Sequence, residues 1–220
     1  MTRTTPHDKK VAHQLPYRRE SAVFVTEVTQ DRRIRRTQKL LREALMELTL
    51  EKGYKNITIQ DVTERADIGY RTYFRHYAGL DELLIDAAEA RLDDIYELLD
   101  LPENEAVLEN PFPRFREIGR RLFEYIQESQ TEFRFLLLDN SLRFVLEPVM
   151  KRARERAEEN LQYLPQNNIS AALAANHIIA SAFSLMRWWL ENDMPHSPER
   201  MGEIFIELTV KPTWALMTGE

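Results

Sequence analysis

A chain of 220 residues with 43% hydrophobic and 30% charged residues, ten prolines and six glycines has a globular make-up, which excludes a wholly disordered or collagen-like chain. The absence of cysteine excludes disulfides, thiolate-bound zinc and cysteine nucleophiles. The net charge of −6 is uneven, with 16 Lys+Arg against 10 Asp+Glu in residues 1–80 and 14 against 26 in residues 81–220, so a surface for a polyanion adjoins an acidic body.

Residues 1–30, with Pro6 and Pro16 and no sustained helical period, are expected to form a loosely packed arm. Its charged residues Asp8, Lys9, Lys10, Arg18, Arg19 and Glu20 leave no apolar centre for a signal peptide. No apolar run approaches the ~20 residues of a membrane span. The expected setting is the cytoplasm, with no membrane partner.

From Asp31 the pattern turns helical. Ile34, Leu41, Ala44, Leu45 and Leu48 share one stripe of a helix that ends near Gly53. Arg32, Arg33, Arg35, Arg36 and Lys39 load the start of that helix against its dipole, a placement that a phosphate backbone would explain. Thr58 and Asp61 form a T-x-x-D capping box for a short helix with Ile59, Val62 and Ala66 inward. Asp67-Ile68-Gly69 is a break, with Gly69 supplying the permissive backbone, and a helix of two turns follows from Tyr70 to about Tyr77. Asp81 is a fair N-cap for a helix reaching about Asp100.

Beyond Pro102 further helices are expected at Pro111–Ser129, Glu132–Asn140, Leu142–Leu164 with a kink or true start at Pro148, and Ile169–Glu191. Ser197 caps a last helix that Pro212 interrupts. No convincing strand appears. The expected fold is all-α: an arm over 1–30, a helix-turn-helix unit over 31–80 and a helical body over 81–220.

Short helix, three-residue break and short helix is the spacing of a helix-turn-helix. Its second helix must rest one face on the first and offer the other to a major groove about 12 Å wide. Tyr73 and Tyr77 fall on one side, where they can pack against Ile34, Leu41 and Val62. Arg71 and Arg75, flanked by Thr72 and His76, fall on the other. Arginine can pair bidentately with guanine, Thr and His can hold phosphate oxygens, and Arg36 with its neighbours would add backbone contacts.

The stretch Arg33–Leu83 resembles the DNA-binding domain of the TetR/AcrR family of transcriptional regulators. The resemblance is carried by the Leu40–Leu48 helix, Gly53-Tyr54, Ile57-Thr58-Ile59, Asp61-Val62, Ala66, Ile68, Thr72-Tyr73-Phe74-Arg75-His76-Tyr77 and Asp81-Glu82-Leu83. The run Met186–Asn192 with Met194-Pro195 and Ser197-Pro198 is similar to the C-terminal domain of one subgroup. The resemblance implies a homodimer whose recognition helices enter successive major grooves of a palindromic operator, about 34–36 Å apart. It also implies a helical C-terminal domain for dimerisation and, in many members, a small-molecule effector. By position, Thr58, Thr72 and His76 would hold phosphates, and Tyr70 and Arg71 would lie at base edges. Three residues depart from the family pattern: Phe74 replaces a phosphate-binding tyrosine, Leu80 a backbone-contacting lysine and Gly69 a serine cap. The arm with Arg18 and Arg19 could compensate in a minor groove.

Small residues, Ala175 and Ala182 among them, with the large anchors Trp189, Phe205 and Leu208, mark the last two helices as dimer elements. Trp214 and Ile204 are further anchors. For an effector, Phe123, Tyr125, Phe133 and Trp188 are candidate lining residues beside Phe115, Phe144 and Met186, with Asn176 and His177 as polar groups. No G-x-S-x-G, Walker or H-E-x-x-H motif is present, and the five histidines lack ligand spacing, so neither an enzyme nor a metal or other cofactor is expected. The leading expectation is a ligand-responsive repressor on double-stranded DNA. The alternative is a TetR-like co-regulator that acts through protein contacts with weak or no DNA binding.

Overall fold

The structure is a computed structural model that describes residues 20–99 and 111–219. The expectations for residues 1–19, Arg18 and Arg19 included, lie outside the described residues. The described residues contain helices and turns and no strand. The chain divides into two compact units, residues 1–39 and 40–220.

Helix α1 spans Glu20–Lys52 and so begins before Asp31, where the helical pattern was expected to start. No Gly or Pro stands between Tyr17 and Lys52, and once a helix is nucleated each added residue gains a hydrogen bond. The cluster Arg32–Lys39 therefore lies well inside α1, where the dipole penalty expected at a helix start is absent. Within the first unit Arg32, Arg33, Arg35, Arg36 and Lys39 are exposed and Ile34 is half-buried.

The second unit opens with the remainder of α1, whose Leu41, Ala44, Leu45 and Leu48 are buried. A single 3-10 turn at Tyr54–Asn56 leads to α2 (Ile59–Ala66), α3 (Tyr70–Tyr73) and α4 (Leu80–Leu99). Leu41, Leu45, Val62, Tyr73, Leu83 and Leu84 are completely buried in one core. Full burial of an aliphatic side chain contributes roughly 1.5–3 kcal/mol relative to exposure.

The rest of the unit comprises α5 (Phe112–Glu128), α6 (Gln130–Leu138), α7 (Arg143–Leu161), α8 (Ala171–Glu191), α9 (Pro198–Phe205) and α10 (Lys211–Thr218). α7 carries Pro148 inside it and is not ended by it. Ser170 and Ser197 cap α8 and α9, their hydroxyls accepting from the Leu173 and Arg200 amides. Between α9 and α10 the helix widens into a π turn over Ile206–Val210, with the Lys211 amide bonded to the Ile206 carbonyl. Pro212 has no amide proton to give the carbonyl four residues back, and the wider turn lets the helix continue where an interruption was expected.

α5 and α9 cross at Gly119 and Gly202. A Cβ at Gly202 would sit 2.7 Å from the Arg120 amide nitrogen and 2.9 Å from the Gly119 carbonyl carbon. Backbone meets backbone there, and neither side has a rotamer that can yield.

Candidate nucleic-acid interface and ligand cavity

The Thr58 cap of α2 is reciprocal. Its Oγ1 accepts from the Asp61 amide at 3.1 Å, and its own amide and hydroxyl donate to Asp61 Oδ2 at 2.7 Å. Lys52 lies 2.8 Å from the same carboxylate. Lys52 and Thr58 together hold the Asp61 carboxyl well below the usual carboxylate range. Arg65 pins the other end of α2 to α1 through Glu51 at 2.7 Å and Glu47 at 3.1 Å.

The break after α2 is a Schellman motif: Ile68 donates to the Thr63 carbonyl and Asp67 to that of Glu64. The left-handed residue is Asp67, at φ 52°, and not Gly69, which sits at φ −62° in ordinary extended backbone. The motif demands its positive φ one residue after the helix ends, which places the demand at Asp67.

α3 is a single turn, Tyr70–Tyr73, shorter than the expected two. The chain continues to Tyr77 in a tighter coil, with Arg75 and His76 donating to carbonyls three residues back. Tyr73 is 0% and Tyr77 4% exposed, whereas Tyr70 is 57% and Phe74 47% exposed. Arg71 and Arg75 are exposed, and Thr72 and His76 half-buried. Neither arginine forms an ion pair among the described residues. The Tyr70 and Phe74 rings meet edge to face, 5.0 Å between centroids.

Polar contacts from this element, from α1 and from the 3-10 turn converge on the start of α4. Tyr77 Oη donates to Asp86 at 2.5 Å, and Arg42 reaches the same oxygen at 3.1 Å. Tyr54 Oη donates to Asp81 at 2.5 Å; burial, with the Asp81 carboxylate beside it, pushes the Tyr54 phenol up. Glu82 accepts from the Ala78 amide, so α4 begins at Leu80 with Glu82 reaching back, and Asp81 faces Tyr54 in place of capping. None of these long-range pairs is periodic in sequence, so no local signal marks them. Tyr73 Oη has no partner and is completely buried; burial, with Glu82 adding its charge, pushes this phenol up to about 12.

The seven DNA-binding candidates fall as follows. Tyr70, Arg71, Thr72, Arg75 and His76 lie together on and just after α3. Thr58 is exposed at the start of α2, its hydroxyl proton directed at Asp61. Arg36 is exposed on α1 in the other unit. Of the departures, Phe74 is exposed without a hydroxyl to offer, and Leu80 packs against the core.

Within the helical body α4 to α10 enclose a cavity of about 1150 Å³. Of the five proposed ligand residues only Phe133 lines it, joined by Phe115 and Met186 from the wider set. Phe123 is buried against Trp189, 5.3 Å between ring centroids. Tyr125 turns its hydroxyl to Asp94 at 3.3 Å, His177 is exposed, and Trp188 stacks on His196 at the surface. Phe144 is also exposed. Sequence reasoning missed the walls from α4 and α7, such as Leu92 and Val149, and on α8 found Met186 but not Phe183.

Four of the five dimer candidates, Ala175, Ala182, Trp189 and Phe205, are buried within the protomer, and Leu208 is 65% exposed. Trp189 also donates its indole N–H to the His196 carbonyl at 2.9 Å. The outward face of α8 is instead Leu173, His177, Ala180, Ser184 and Trp188. α8 is apolar nearly all round, so its composition alone does not tell the inner face from the outer one. Among the described residues no helix is long and apolar enough to cross a membrane, and no group of acidic residues and histidines could hold a metal ion.

An all-helical chain that presents basic side chains beyond a two-helix turn, with a hollow helical body behind, has the architecture of a helix-turn-helix regulator. Residues 115–211 match the family model TetR_C_8, a transcriptional regulator C-terminal region. The chain is 31% identical over 102 residues to the HTH-type transcriptional regulator TcmR of Streptomyces glaucescens, covering 46% of this chain and 43% of that one. It is 26% identical over 182 residues to the uncharacterized HTH-type transcriptional regulator YxbF of Bacillus subtilis strain 168, covering 80% of this chain and 45% of that one. Its fold matches a structure from Syntrophomonas wolfei ascribed to the TetR family, with a TM-score of 0.61, 18% identity and coverage of 84% of this chain and 98% of that chain. By sequence over residues 115–211, and by fold over most of its length, the chain is similar to transcriptional regulators of the TetR family. It spans less than half the length of the two curated relatives that it matches.

Proposed function

We propose that the chain is a ligand-responsive repressor that binds a palindromic DNA operator as a homodimer. The observation that carries this reading is the division of one short segment: Tyr73 and Tyr77 are buried while Arg71 and Arg75 are exposed and unpaired among the described residues. An arginine kept from carboxylates at a helix surface is available for guanine edges and phosphates. In this reading Tyr70 and Arg71 meet base edges, Arg75 reads alongside them, Thr58, Thr72 and His76 hold phosphates, and Arg36 adds a backbone contact. The dimer face in this reading is the outward stripe of α8, in which Leu173, Ala180 and Trp188 are exposed, together with the exposed Leu208, and a second copy would cover them. Ligand response is supported by α4, which holds Tyr77 through Asp86 near one end and walls the cavity through Leu92 and Tyr96 farther along. A ligand that prefers one setting of α4 over another would bias the spacing of the two recognition helices.

Selection of bound sequences from random duplexes, followed by a salt titration, tests the reading. The expected result is a palindromic consensus with steeply salt-dependent affinity. Arg71→Ala is expected to relax base preference at one position of each half-site by about 1–3 kcal/mol. Arg36→Ala should weaken all sequences alike and lower the salt slope by about one. The bare Phe74 edge and the apolar Leu80 favour one other reading, a co-regulator that works through protein contacts; absence of any enriched sequence would select it.

A further inference from the structure

The charge pattern of the cavity wall limits what the cavity can hold, an inference that rests on the effector reading above. Most of the wall is hydrocarbon, from side chains such as Leu92, Ile95, Leu122 and Ile178. Among the described residues that line it, the one Lys or Arg is Arg91. Its Nε and Nη2 both lie 2.7 Å from Glu132 Oε2, and its Nη1 lies 3.1 Å from Asp94. Two carboxylates on one guanidinium leave Arg91 with no unpaired positive charge, and the exposed Glu159 is the acidic lining residue. Arg156, 4.7 Å over the Tyr96 ring, is exposed and is not a lining residue.

Of the three lining hydroxyls, that of Tyr163 belongs to a side chain 82% exposed to solvent, and the other two are engaged. Tyr96 Oη donates to the Ala153 carbonyl at 3.1 Å, and Thr213 Oγ1 donates to the Thr209 carbonyl at 2.7 Å. Each proton is engaged, and what remains on each oxygen is acceptor capacity. A carboxylate or sulfonate in this space would lose its water and, among the described lining residues, meet no unpaired cation, which makes burial of its charge costly. A neutral molecule with an N–H or O–H group meets no such penalty. The volume of about 1150 Å³ suits a bulky ligand.

We infer that the cavity takes a bulky, uncharged, apolar molecule, and that it discriminates against anions of the same shape.

Two fluorescent probes that share one ring skeleton test this on the full chain. N-phenyl-1-naphthylamine is neutral with a single N–H donor, and 8-anilino-1-naphthalenesulfonate adds a sulfonate. The expected result is saturable binding of the neutral probe at one per chain, with the sulfonate weaker by about tenfold or more. Ala157→Trp, a half-buried lining position on α7, should abolish neutral-probe binding while the melting transition persists. In the isosteric double variant Glu132→Gln/Asp94→Asn, Arg91 loses both anionic partners, and the sulfonate should gain about tenfold while the neutral probe changes less than about twofold. The inference is overturned by equal or tighter sulfonate binding to the unmodified chain, by failure of the neutral probe to bind, by neutral-probe binding that survives Ala157→Trp, or by an unchanged probe ratio in the double variant. Probe binding needs no DNA, so a failed duplex selection would remove the operator reading and leave the probe preference standing, and the converse holds equally.

Discussion

The recognition segment and the helical body of the second unit are built on opposite plans. Residues 58–77 form a small, filled structure in which side-chain caps, ion pairs and two buried tyrosines hold a single helical turn in place. The body is several times larger, joined by apolar contact, and hollow at its centre. The difference matches what the proposed function asks of each part. A reading surface needs its arginines held in one geometry, so its support has no slack. A ligand site needs space, and space among helices forfeits dispersion contacts along every wall. The body compensates at one place by drawing α5 and α9 together until only hydrogen fits between them. α4 belongs to both plans, clamped by tyrosine hydroxyls in its first half and open to the cavity in its second.

The sharpest way to break this contrast is at the glycine crossing. Gly202→Ala should destabilise the fold by about 3 kcal/mol, since the new methyl meets rigid backbone. Urea denaturation would measure it, and an unchanged midpoint would mean that α5 and α9 are not held close. A matched pair of phenols tests the recognition segment. Tyr77→Phe removes a hydroxyl bonded to Asp86 and should cost about 1 kcal/mol. Tyr73→Phe removes one with no partner and should be neutral or stabilise by up to about 1 kcal/mol. Equal losses for the two, read as melting shifts, would contradict the different surroundings of the two rings. The smallest effect is at the turn: Asp67→Gly relieves a left-handed backbone at φ 52° and should add about 0.5 kcal/mol.

What was legible in the sequence was local. The Thr58 capping box could be read because its donors and acceptors lie three residues apart, and the structure contains it. The outward Arg71 and Arg75 and the inward Tyr73 and Tyr77 followed from helical spacing, even though α3 proper proved to be one turn. The sequence points to Gly69 for the strained position of the turn, because glycine is its usual occupant, whereas the structure places Asp67 there, a tolerated substitute. α1 starts earlier than its apolar period suggests, because Pro6 and Pro16 lie before Glu20 and the residues from Glu20 to Lys52 hold no breaker.

The body resisted reading for a different reason. α8 offers alanines and aromatics on every side, so nothing in its order separates Trp189, at 0% exposure, from its neighbour Trp188, at 43%. Arg91 reads as one more surface charge until Glu132 and Asp94 are brought beside it. By itself the sequence determined which segments coil, where two of them are capped and which side of a short helix carries its arginines, because each of these depends on residues within a turn or two. Only the tertiary structure decided the glycine crossing, the tyrosine clamps on α4 and the neutralised cation in the cavity wall. Each joins residues many turns apart, and a void is the product of how whole helices fail to meet.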